Sequence, residues 1–120
     1  MSKRALKKLL DAEWGAYQHR VWKRCAVCGE TPVEAHHLIT KRRLTTCWDV
    51  ANGIGLCEKH HKGSVFSAHG TPWAFKEWLR LEYPEQWSWW EDAKERVTSS
   101  ISEAWLRRKL GTLRLLGRCL

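Results

Sequence analysis

The stretch from Cys25 to His61 constrains this chain most. It reads CAVCGETPVEAHHLITKRRLTTCWDVANGIGLCEKHH. Cys25 and Cys28 stand three apart, and Cys57 and His60 repeat that spacing with histidine in the last place. A lone Cys-x-x-Cys is ambiguous between zinc and redox chemistry. A second pair at the same spacing favours zinc, which takes four sulfur or nitrogen ligands tetrahedrally. Cys25, Cys28, Cys57 and His60 thus form a candidate Cys3His set for a structural zinc. Gly29, directly after the second cysteine, tolerates the tight turn such a knuckle needs. Cys47 competes for the fourth place, but its spacing belongs to no pair. The plain alternative is buried thiols beside an exposed histidine.

A metal staple suits a chain of this size. At 120 residues, one domain with a modest core is expected. The formal net charge of +8 favours a polyanionic partner, with a merely basic protein as the alternative. Five cysteines are an odd number, and the N-terminus lacks the continuous apolar run of a secretory leader. No apolar stretch is long enough to span a bilayer, so no membrane association is expected. Together these point to a reducing cytoplasm, with cysteines used as metal ligands. Most of the nine tryptophans should pack the core, with one or two free to stack on bases.

The flanks read as helices. Ser2 is a plausible cap for a helix to about residue 20, with an apolar stripe through Leu6, Leu9, Leu10, Trp14, Tyr17 and Val21 and a basic face at Lys3, Arg4, Lys7 and Lys8. Residues 32–39 favour a strand with Val33, Ala35 and His37 on one face and Glu34, His36 and Leu38 on the other. Asn52-Gly53 is a turn dipeptide, residues 54–57 a short second strand, and a helix begins near Glu58. Thr71 and Pro72 open another helix, with Trp73, Phe75, Trp78, Leu79 and Leu81 facing inward. Tyr83-Pro84 ends it. Ser88-Trp-Trp-Glu91 fits a capping box for one long helix from about 89 to 117, with Val97 on its apolar face and Gly111 a candidate interruption. Its basic, leucine-rich far end could meet DNA backbone or mediate self-association.

The order and spacing of one group of residues resemble a known family. After His36-His37 comes Asn52, fifteen residues beyond the second histidine, then His61 nine residues later, all inside the cysteine frame. This pattern resembles the HNH endonucleases, and within them the small proteins of phages and prophages. His60 stands where many members carry a cysteine, a chemically acceptable exchange. The resemblance implies an α+β fold: a ββα-metal core over residues 23–82 with a structural zinc, flanked by helical extensions at 1–22 and 83–120 in one compact unit. It implies DNA as substrate and phosphodiester hydrolysis as the reaction, in the cytoplasm of a bacterial host. It assigns His37 as general base, His36 and His61 as ligands of a catalytic divalent metal, and Asn52 as the residue that orients the base or its loop.

Two imidazoles favour manganese, nickel or zinc over magnesium at that second site, with magnesium retained as a working ion. His69 is a candidate third ligand, a phosphate donor or a helix cap. Lys41, Arg42, Arg43 and Lys62 are the candidate phosphate-gripping side chains. Two other functions stay open. One is a non-catalytic zinc module that binds nucleic acid. The other is a nuclease subunit of a phage packaging or recombination assembly, joined through the C-terminal helix.

Overall fold

The structure, a computed structural model, describes residues 1–96 and 100–120. Among these residues it is α+β, with six helices and a two-stranded antiparallel sheet. Helix α1 (Lys3–Val21) begins as expected at Ser2, whose hydroxyl accepts from the Ala5 amide. Strands β1 (Glu34–His37) and β2 (Gly53–Leu56) pair with Glu34 opposite Leu56 and His37 opposite Gly53. Between them lie a short helix α2 (Leu44–Cys47) and a 3₁₀ turn at Val50–Asn52. Helix α3 (Glu58–Lys62) follows β2 directly. Helices α4 (Pro72–Glu82), α5 (Pro84–Ala93) and α6 (Glu103–Arg118) complete the chain. No helix among the described residues is long and apolar enough to cross a membrane.

Two apolar clusters sit on either side of the sheet. The first joins α1 to α6 through Leu6, Leu10, Trp14, Leu106, Leu110 and Leu113, with Trp48 from the inter-strand connection. The leucine face of α6 is therefore spent on α1 within the chain. The second gathers Ile54, Leu56, Phe75 and Leu79 around Cys25 and Cys57. Strand β2 is fully buried between the clusters, and its glycines make that possible. A Cβ at Gly55 would fall on the Trp22 Cβ of the segment leaving α1, and one at Gly53 would fall on the Gln18 side chain. Glycine at both places lets α1 lie directly on the sheet. Trp14 and Gln18 then donate to the carbonyls of Asp49 and Val50, both at 2.9 Å, and pin the start of β2.

Several sequence expectations are corrected. Both strands are shorter than, or shifted from, the expected 32–39 and 54–57. β1 stops at His37 because the Asn52 side chain takes both the amide and the carbonyl of Ile39. Asn52-Gly53 is no hairpin turn: Asn52 closes the 3₁₀ turn and Gly53 is extended. The single helix from 89 to 117 is two helices. Pro84 opens α5 four residues before Ser88, and the cap of α6 is Ser102, whose hydroxyl accepts from the Trp105 amide. Gly111 lies inside α6 without interrupting it, and Val97 lies outside the described residues. Thr71 holds the N-cap position of α4 with Pro72 next, as expected, but its hydroxyl exchanges hydrogen bonds with the Ser67 backbone and does not bond the first turn. Trp73 and Leu81 face solvent rather than the core. Of the other tryptophans, Trp14 and Trp48 are buried and the rest are half-buried.

The glycine positions predict opposite outcomes. Gly55→Ala forces a methyl into Trp22 and should cost about 1–3 kcal/mol. Gly111→Ala meets nothing within 4 Å and removes a flexible residue from a helix interior, so it should gain about 0.5–1 kcal/mol. Urea denaturation of the two variants checks both signs.

Candidate functional site

The knuckle is built by backbone geometry. The Gly29 amide closes onto the Cys25 carbonyl at 2.8 Å, with Gly29 at φ 79°, a conformation that suits glycine. The Ala26 amide donates to Gly55 at 2.9 Å and ties this turn to β2. Cys57 sits at the start of α3, and His60 one turn later faces the same way. The result brings Cys25, Cys28, Cys57 and His60 together, with one ligand atom from each lying within 4.8 Å of the others. The Cys28 and Cys57 sulfurs are 3.7 Å apart, and His60 Nδ1 is 3.7 Å from the Cys25 sulfur and 3.3 Å from that of Cys57. Tetrahedral zinc with Zn–S near 2.3 Å separates two sulfurs by about 3.8 Å, so the spacing fits. Burial raises the Cys25 thiol, but hydrogen bonds from the Cys57, Cys28 and Val27 backbones and from His60 outweigh it. The net effect lowers the thiol to about 6 and favours the thiolate a metal requires. This set could hold a zinc ion. Cys47 takes no part in it and lies buried beside His37.

A second group lies on the other side of α3. His61 turns away from His60 toward β1, where its Nε2 is 3.1 Å from His36 Nδ1. A loop tied by Ser67, which accepts from the Gly70 amide at 2.7 Å, brings His69 back over them. The His69 amide donates to the His61 carbonyl at 3.0 Å. His36, His61 and His69 thus each offer a nitrogen within 4.8 Å of the others. Glu34, two residues before His36 and on the same strand face, accepts from His61 Nδ1 at 2.9 Å. The carboxylate can only accept, so His61 Nδ1 carries the proton and Nε2 presents its lone pair toward His36. That bond, with the charge of Lys62, holds the Glu34 carboxyl below its usual range against its desolvation. Burial, reinforced by the other imidazoles, pushes His36 down to about 3. Burial with His61 and Lys62 also lowers His69. Convergent nitrogens in neutral imidazoles are the donor set a divalent transition ion takes.

His37 points to the opposite face of β1. Its ring stacks on Trp14 with centroids 3.8 Å apart and planes 11° apart. Its Nε2 donates to the Cys47 carbonyl at 3.0 Å. A carbonyl only accepts, so Nδ1 is left unprotonated. Burial lowers its proton affinity, partly countered by that hydrogen bond.

Among the described residues, Asn52 makes no side-chain hydrogen bond to His36, His37, His61 or His69. It is fully buried, accepts from the Ile39 amide at 2.6 Å and donates to the carbonyls of Ile39 and Thr46, both at 3.0 Å. It therefore clasps the loop that carries Lys41 to Arg43 and, through α2, the Cys47 carbonyl that holds His37.

One cleft of about 480 Å³ collects these groups: His36, His37, His61 and His69 line it together with Lys41 and the apolar wall of α4 and α5. Arg42 is exposed beside it. The charge of Lys62 reaches Glu34 and His69. Arg43 is turned aside, with Nη1 donating to the Lys94 carbonyl. The residues missed from sequence are Glu34 and Trp14. Strand alternation already placed Glu34 on the His36 face, and no local signal links Trp14 to His37. No family model matches this chain, and no curated protein or solved structure matches it either.

The binding energy of structural zinc, about 10–16 kcal/mol in small zinc-folded peptides, rivals a whole domain's stability of about 5–15 kcal/mol. Cys57→Ser should therefore lower bound zinc by one equivalent and the thermal midpoint with it. Elemental analysis and calorimetry on the same preparation measure both.

Proposed function

We propose that the chain is a metal-dependent endonuclease of the HNH type, hydrolysing phosphodiester bonds of nucleic acid. The observation that carries the reading is the convergence of His36, His61 and His69 in the cleft that His37 also lines. A module that only binds nucleic acid would use the Cys3His set and the net charge. It would have no need of three further imidazoles, one of them backed by a carboxylate. The local order β1, β2, α3, with histidines from β1 and α3 facing each other, also suits the ββα-metal unit of that family.

His37 is the general base. With its proton held on Nε2 by the Cys47 carbonyl, Nδ1 is the free acceptor for a water proton, and the lowered proton affinity keeps the ring neutral near pH 7. Stacking on Trp14 holds the ring in plane. His36, His61 and His69 would hold the divalent ion, with Glu34 fixing the tautomer of His61. Such an ion, when bound, supplies neutralisation of the phosphoryl charge and of the leaving oxygen. Lys41 and Arg42 attract and orient the phosphate, and Lys62 adds to the positive potential at the imidazoles. Asn52 is a positioning residue, acting through the loop it clasps.

Supercoiled plasmid incubated with the protein and manganese, nickel, zinc or magnesium should be nicked. His37→Ala should slow nicking by about 10²–10⁴-fold while zinc content stays at the wild-type value. Absence of nicking with all four ions, or a fully active His37→Ala, defeats the proposal.

A further inference from the structure

Trp73 is 85 % exposed, on the first turn of α4. A single exposed aromatic needs no explanation by itself, but this one has ordered surroundings. Its neighbour Pro72 and the residue one turn on, Lys76, both line the histidine cleft. Lys76 Nζ lies 5.7 Å from the Trp73 ring centre and 5.2 Å from that of Trp90, which also lines the cleft. Trp90 is in turn stacked on Trp87, with centroids 4.9 Å apart and planes 25° apart. The cleft rim therefore carries an open indole, a cation beside it and a braced second indole. Among the described residues, none of Lys41, Arg42, Lys62 and Lys76 is in an ion pair. Cations left uncommitted around an aromatic face match a phosphate next to a nucleobase.

We propose that Trp73 is a stacking platform for an unpaired nucleobase, with Lys76 on the adjoining phosphate, so that the substrate is single-stranded or locally unpaired nucleic acid. A base inside a duplex has both faces covered by its neighbours and cannot lie on a side chain, whereas every unpaired base offers a π-face. The proposal rests on the nuclease reading for what happens in the cleft, but the stacking is a binding property and is tested as one.

The test uses fluorescein-labelled oligothymidylate, oligouridylate and a mixed-sequence duplex, each titrated with the His37→Ala protein carrying one equivalent of zinc, so that cutting is slow on the time of the titration. Adding Trp73→Ala should weaken binding to an unpaired strand by about 5- to 100-fold, since stacking contributes about 1–3 kcal/mol per base. Trp73→Phe should restore most of it, and duplex affinity should hold. Loss on either unpaired strand supports the platform. Lys76→Gln should reduce the slope of log Kd against log salt by about 0.7. Equal loss on the duplex, no loss on any strand, or a Trp73-dependent dimer in sedimentation without nucleic acid overturns the platform. Plasmid nicking by the wild type with unchanged Trp73→Ala binding defeats the stacking alone. Trp73-dependent binding with no cleavage of plasmid or of either unpaired strand by the wild type under any ion defeats the nuclease reading alone.

Discussion

Successive residues on a helix point about 100° apart, and α3 uses that rotation to serve two sites with five residues. His60 closes the Cys3His set, and His61, the next residue, faces β1. Once Cys25, Cys28 and Cys57 hold His60, the direction of His61 is no longer free. Glu34 then selects which nitrogen of His61 looks into the cleft. A helix this short has almost no stability of its own, because the nucleation cost is spread over too few hydrogen bonds. Its orientation must come from tertiary anchors, and a zinc ion held by the Cys3His set would be a strong one.

The second constraint is the buried amide of Asn52. Its three hydrogen bonds go to backbone groups of the connection between the strands, and none goes to the imidazoles. The connection is long and has little regular structure, so its polar groups need partners from elsewhere. Asn52 supplies them from within, while Trp14, Gln18 and Gln86 pin residues 49–53 from outside. The Cys47 carbonyl that sets the His37 tautomer is thereby held at the end of a braced segment. A change at Asn52 would reach His37 through the backbone.

The zinc set was legible because metal ligation imposes a spacing on the sequence, and Cys25, Cys28, Cys57 and His60 do converge. The start of α1, the strand alternation and the break at Pro84 were legible for local reasons: a cap, a period of two and a missing amide hydrogen. What failed was governed by distant partners. Asn52-Gly53 has the composition of a turn, but Ile39 and Thr46 recruit the amide and the chain continues extended. Ser88 has the signature of a cap, yet Pro84 had already started the helix. Trp73 looked like core because it is tryptophan; its place on the first turn of α4 leaves it in solvent. The stack of Trp14 under His37 joins residues 23 positions apart through Gly53 and Gly55, and no local pattern carries that.

The two histidine-bearing sites are mechanically linked, and this limits what substitutions in either can mean. His60 and His61 share one turn, so a chain that loses its Cys3His ligation also loses the aim of His61, although no zinc-set residue lines the histidine cleft. Loss of function on altering Cys28 would then reflect a misdirected imidazole, with no chemical role for the thiolate. The reverse coupling is weaker. His36 and His69 rest on β1 and on the Ser67 loop, which keep their own hydrogen bonds when an imidazole is removed. The zinc set should therefore tolerate changes in the cleft far better than the cleft tolerates changes in the zinc set.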